Sequence, residues 1–153
     1  MAIYYEFGAD TKMSVPECAK KLIQELGLTT WPEGPHVRLY NDGVTLTVMH
    51  GDATAPGKRL ALEAFGFVPT LRVSFRPSLG GPNMELGAQT MMRVVDLLLR
   101  STDGDAGFAK EFERVLLLRR GGRLYARDNF ENHLNTEQLA MISLPCERKA
   151  LRP

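Results

Sequence analysis

Three histidines, two cysteines and a few close acid pairs are the residues of this 153-residue chain whose types suit catalysis or metal binding. His36, His50 and His133 are widely separated, none stands at ligand spacing from another His or Cys, and H-E-x-x-H is absent. His50-Gly-Asp52 is the one close His/Asp pair, but a base held by a carboxylate also needs a nucleophile placed by the fold, and G-x-S-x-G is missing. Gly80-Gly81-Pro82 lacks the Lys-Ser/Thr of a phosphate cradle, and Pro82 removes a backbone donor. Asp103-Gly-Asp105 begins like a calcium loop without the ligands that should follow. Cys18 and Cys146 form no paired spacing and are expected to be reduced thiols. No cofactor and no metal are expected, and the one alternative with chemistry in it is a small ligand-binding domain or enzyme with a pocket near His50 and Asp52.

Nineteen Lys and Arg balance eighteen Asp and Glu, a formal charge of +1 that excludes a strong field for nucleic acid or a polybasic membrane anchor. Apolar runs stop at three or four residues, as in Val115–Leu118, far below a membrane span. Hydrophobic content of 44% fits a globular core. Five arginines, Arg114, Arg119, Arg120, Arg123 and Arg127, crowd one stretch; they suit the polar face of a hairpin or an anion or partner patch. Trp31 lies where no periodicity demands a core residue, so it either plugs the end of the first helix or serves as an interface anchor.

The elements that must position these residues follow from local pattern. Residues 2–8 alternate as a half-buried strand. Ser14-Val-Pro-Glu17 forms a capping box before the stripe Val15, Ala19, Leu22, Ile23, Leu26, with Gly27 as the stop. Trp31-Pro-Glu-Gly-Pro35 reads as a loop. His36–Asn41 and Val44–His50 form a hairpin about Asp42-Gly43, a pair suited to a type I′ turn. Lys58–Phe65 allows one or two helical turns, and residues 70–76 alternate as another strand. Asn83 caps a long helix that runs through Arg100 and is interrupted only by Gly87. Residues 106–112 suit either a short strand or a helical turn. Glu113–Arg120 and Arg123–Arg127 flank Gly121-Gly122 as a second hairpin, and Asn135-Thr-Glu-Gln138 is another capping box. Cys146 onward is expected to fray. The order implies an α+β fold in two layers, an antiparallel sheet with two long helices on one face, a single domain over residues 1–145 and a charged tail over 146–153.

Phe65-Gly-Phe-Val-Pro-Thr-Leu-Arg-Val-Ser-Phe-Arg76, a long helix ending near Asp105, and Glu113-Arg-Val-Leu-Leu-Leu-Arg119 followed by Gly122-Arg-Leu together resemble one family. It is the third class of immunity proteins paired with the swarming-inhibition (Sit) polymorphic toxins of myxobacteria, and the resemblance runs from the first strand to about Pro145. The tail, Cys146-Glu-Arg-Lys, departs from the more apolar ending of that family. The resemblance implies a cytoplasmic protein that binds and neutralises a cognate toxin, with no catalytic residues to carry over. Arg76 and Arg119 match its pattern, and such an arginine beside a strand either pairs with Glu113 or Glu85 or contacts the partner. Contacts are expected from Trp31, Glu33, Tyr40, Arg119, Arg120 and Arg123, with no nucleic acid or membrane partner, while exposed strand edges leave room for a homodimer.

Overall fold

The structure is a computed structural model; it describes residues 2–33 and 36–151, the side chains of Pro32 and Glu33 excepted. In chain order it contains β1 (Tyr5–Ala9), α1 (Val15–Leu26), β2 (Thr29–Glu33), β3 (His36–Tyr40), β4 (Val44–His50), α2 (Ala55–Phe65) and β5 (Leu71–Pro77). There follow α3 (Met84–Ser101), β6 (Ala106–Lys110), β7 (Arg114–Arg120), β8 (Arg123–Arg127), a 3₁₀ turn (Phe130–Asn132), α4 (Thr136–Leu139) and β9 (Glu147–Lys149). The strands form one sheet in the order β2-β3-β4-β5-β1-β6-β7-β8-β9, antiparallel except for the parallel β8–β9 pair. The α+β class and the antiparallel sheet agree with the sequence reading.

β1 lies mid-sheet between β5 and β6, and all five of its residues are buried. It is therefore covered on both sides, where period-2 alternation suggested one. Tyr5, Phe7 and Ala9 enter the large core with Val15, Cys18, Ala19 and Leu22 of α1 and with Met91, Val94, Val95 and Leu98 of α3. Glu6 and Gly8 point the other way, toward α2. There Ala61, Ala64 and Phe65 form a second apolar cluster with Ala109, Val115 and Leu151. The helix read as one or two turns is thus an eleven-residue helix that adds a layer on the opposite face. Its start was hidden by Pro56 and Gly57, which sit harmlessly in the first turn behind the Thr54 cap.

Two glycine contacts set how closely the layers approach. Gly8 faces Gly107 across the β1–β6 ladder, and the Phe65 ring lies against them; a Cβ at Gly107 would come within 2.3 Å of that ring. On the other face, a Cβ at Gly87 would sit 2.1 Å from the Gly43 carbonyl oxygen, so α3 rests backbone to backbone on the β3–β4 turn. Gly87 breaks the apolar stripe because the helix touches the turn there.

The β3–β4 turn corrects one expectation. Neither Asp42 nor Gly43 is among the positive-φ residues, so it is not type I′. Instead Asn41 Oδ1 accepts from the N–H groups of Gly43 (2.8 Å) and Val44 (3.1 Å), while its amide donates to Thr90 Oγ1 of α3. The second hairpin behaves as expected, with Gly121 and Gly122 at φ 58° and 80°. Both capping boxes are present, at Ser14/Glu17 and Asn135/Gln138, whereas Asn83 precedes α3 without a side-chain cap bond.

Two segments differ more. Trp31-Pro32-Glu33, read as a loop, belongs to edge strand β2, where a proline that offers no ladder donor is tolerated. Residues beyond Cys146, expected to fray, supply β9, and Leu151 is buried, its carbonyl accepting from Arg127 Nη2 at 2.6 Å. The bridge from Arg148 to Glu131 holds the same segment. The ambiguous stretch at 106–112 resolves into β6 and a turn in which Glu111 and Phe112 both have positive φ.

Gly107→Val should lower stability by about 1–3 kcal/mol through overpacking against Phe65, read as a shift in the urea midpoint at unchanged slope. A variant as stable as wild type would contradict the close layer contact.

Candidate functional site

A nine-stranded sheet is wider than its helices. At about 4.8 Å per strand its outer strands lie about 38 Å apart, whereas a helix is about 10 Å wide and eleven residues are about 16 Å long. On the α2 face, α2 lies chiefly over β6 and β7, and its Phe65 and Gly57 reach Gly8 of β1 and Arg72 of β5. The apolar cluster beneath α2 contains no residue of β2, β3, β4 or β5. Apart from Arg72, which the start of α2 covers, that half of the face is bare, its side chains exposed or half-exposed.

Register shows what it presents, since residues directly opposite on neighbouring strands point to the same side. One row runs Thr29, Tyr40, Thr45, Arg76; the next runs Trp31, Arg38, Thr47, Ser74 and then Glu6. Trp31 is 55% exposed and Tyr40 38%, and with Thr30 and Thr45 they line a depression. The Arg38 guanidinium lies 5.5 Å from the centre of the Trp31 ring, which restrains both side chains before any partner arrives. Trp31 and Tyr40 are thus brought together, on strands rather than a loop. Glu33 shares the face by register, but its side chain lies outside the described residues.

The arginine cluster divides. Consecutive strand residues point to opposite faces, and Arg119 and Arg120 each bind the end of a different helix. Arg119, 5% exposed, donates through Nη1 to Leu99 O (2.7 Å), through Nε to Gly104 O (2.7 Å) and through Nη2 to Thr102 Oγ1 (2.8 Å). It satisfies carbonyls at the end of α3 and places a cation at the negative end of its dipole. Burial pushes its pKa down, while Asp103 and Asp105 oppose that. Arg120 donates to Phe65 O at the end of α2 (3.0 Å), pairs with Asp105 (3.1 Å) and stacks on Phe67. Arg119 and Arg120 are thus both engaged within the chain, and Arg119, though largely buried, shares a cleft wall with Arg123. Arg123 is exposed and lines a cleft of about 550 Å³ with Arg100, Asp103, Leu144, Cys146 and Glu147, remote from Trp31 in the strand order. Arg127 is buried against Val115 O and Leu151 O.

Catalytic candidates gain nothing from the fold. His50 and Asp52 are exposed, and neither lines the clefts described here. Among the described residues no group of three His, Cys, Asp or Glu side chains could hold a metal ion, and no helix is long and apolar enough to cross a membrane. Cys18 is buried and its thiol is pushed up to about 12, the reverse of an activated nucleophile. Cys146 is half-buried, and both cysteines are free thiols.

One buried pair escaped the sequence reading. Glu6 and Arg72, 7% and 5% exposed, lie between the bare and covered halves, with Arg72 Nη2 3.7 Å from Glu6 Oε2 and the guanidinium 5.3 Å from the Phe112 ring centre. Ser74 donates to Glu6 Oε1 at 2.9 Å, but Glu6 Oε2 and Arg72 Nε and Nη1 have no hydrogen-bond partner. Burial therefore outweighs the attraction and raises Glu6 to about 7, against the lowering by Ser74 and Arg72. The only prior signal was a charged residue at an alternating strand position in each of β1 and β5.

The SitI3-like family matches residues 3–134. No curated protein and no solved structure matches the chain.

Two predictions follow from these side chains. Arg119→Ala should cost at least about 2 kcal/mol, because it strips a charged donor from buried carbonyls, whereas Arg123→Ala should stay within about 0.5 kcal/mol; equal midpoints would contradict the capping role. For Glu6, a folded pKa above the unfolded value means that its contribution is full below about pH 4.5 and lost as pH rises through about 7. The stability advantage of wild type over Glu6→Gln should then shrink between about pH 5 and 8, by up to about 3 kcal/mol, and a constant difference would contradict it.

The match spans 132 of the 153 residues and takes in β1 through β8; the chain belongs to the SitI3-like family.

Proposed function

We propose that this is an immunity protein that binds a cognate polymorphic toxin in the cytoplasm and neutralises it by covering it, without catalysis of its own. The observation that carries the reading is the bare half-face of β2–β5, with an exposed Trp and Tyr. Trp, Tyr and Arg are the residue types that dominate interface energetics, and a rigid sheet presents them at little ordering cost. Family membership supports the same reading.

The face is favoured over the sheet edges. β2 carries Pro32, which offers no ladder donor, and β9 is three exposed charged residues, so neither edge is a good template for another strand or for a homodimer. A specific complex buries about 1,200–2,000 Å², so the partner would extend beyond Trp31 and Tyr40 to Glu33 and the adjoining turns. Arg123, in its own cleft, is a subsidiary contact in this reading.

Co-expression with the toxin encoded in the neighbouring reading frame tests it. Wild-type protein should protect the cells and co-purify with the toxin, and Trp31→Ala/Tyr40→Ala should lose both while keeping its circular dichroism. Death of cells carrying wild-type protein, or absence of a complex, would refute the reading.

A further inference from the structure

We propose that the toxin segment seated on the bare face presents carboxylates, and that Arg76 receives them beside the Thr45 hydroxyl, with Tyr40 next beyond Thr45 in the same row. This deepens the immunity reading and rests on it. Arg76 is exposed at the end of the row Thr29, Tyr40, Thr45, Arg76, with no hydrogen bond or ion pair among the described residues. Other arginines are engaged: Arg72 with Glu6, Arg100 with Asp96, Arg120 with Asp105, Arg148 with Glu131, and Arg119 with backbone carbonyls. An exposed guanidinium left unengaged beside a hydroxyl side chain is equipped for bidentate pairing with a carboxylate.

The charge around it agrees. Among the described strand residues of this half-face the charged groups that reach the surface are Arg38 and Arg76, while Arg72 is buried in its pair with Glu6. Glu33 stands one row beyond Trp31, its side chain outside the described residues. A nearly neutral chain thus turns a cationic half-face outward. A second copy docked face to face would oppose arginines to arginines. A nucleic acid needs a track of several cations to release counterions, and this face has one unengaged arginine. An acidic protein segment, with apolar groups for Trp31 and Tyr40, fits best.

The test is calorimetric titration with the toxin domain encoded in the neighbouring frame, at low and moderate salt. Arg76→Glu should weaken binding about 30-fold or more, Arg76→Lys should retain most of it, and Arg76→Gln should lose much of the salt dependence of wild type. Arg76→Glu within about twofold of wild type while Trp31→Ala is weak would overturn the acidic segment and leave the face. Wild-type affinity in both would overturn the face while a complex still forms. No binding by wild type would place the failure in the immunity reading itself. An oligonucleotide whose binding Arg76→Glu abolishes would overturn the proposal in favour of phosphate.

Discussion

The arrangement depends on a mismatch of widths. Nine paired strands make a sheet that one helix on its second face cannot cover, and α2 lies over β6 and β7. Beneath it, Gly8 and Gly107 let Phe65 approach the backbone closely. The opposite face is covered by α1 and α3, which share the core with β1 and with β3 to β8. What remains is the half-face over β2–β5, where the side chains are hydroxyls, aromatics and arginines. Its shape follows from where apolar residues are spent elsewhere.

Charged side chains in this fold are used as much for closing backbone groups as for display. Arg119 and Arg120 are neighbours on one strand, yet one ends α3 and the other ends α2. Arg127 and Asp96 do similar work on the last third of the chain, Arg127 on the carbonyls of Val115 and Leu151, Asp96 on the N–H and hydroxyl of Ser143. Such contacts join distant segments at modest net energy, because a buried carbonyl left unpaired costs more than its hydrogen bond returns. Glu6 and Arg72 are the exception, a long and poorly satisfied pair held under the start of α2.

Much of this architecture could be read from residue types. The Ser14/Glu17 box, the stripe of α3 and the Gly121-Gly122 hairpin are local signals, and each sets its element by chemistry within a few residues. The failures have a common cause in tertiary context. Pro32 looks like a breaker until the strand proves to lie at an edge, and Glu147–Lys149 looks like a tail until β8 offers its own edge. The Asp42-Gly43 turn takes its shape from Asn41 and from contact with Gly87. Arg119 and Arg123 look alike in sequence, and only strand alternation and the ends of α2 and α3 separate an enclosed arginine from an exposed one. Trp31 and Tyr40 were recognised as candidate contacts from residue type, but their sharing of one face needed the register.

Trp31 is the only tryptophan in the chain and stands on the bare face. Labelling the protein with 5-fluorotryptophan therefore gives a single ¹⁹F resonance that reports on that face alone. Adding the neighbouring-frame toxin domain should shift the resonance and remove its response to exchanging H₂O for D₂O, as the ring leaves solvent. An unchanged, solvent-exposed resonance in a formed complex would mean that the partner binds elsewhere.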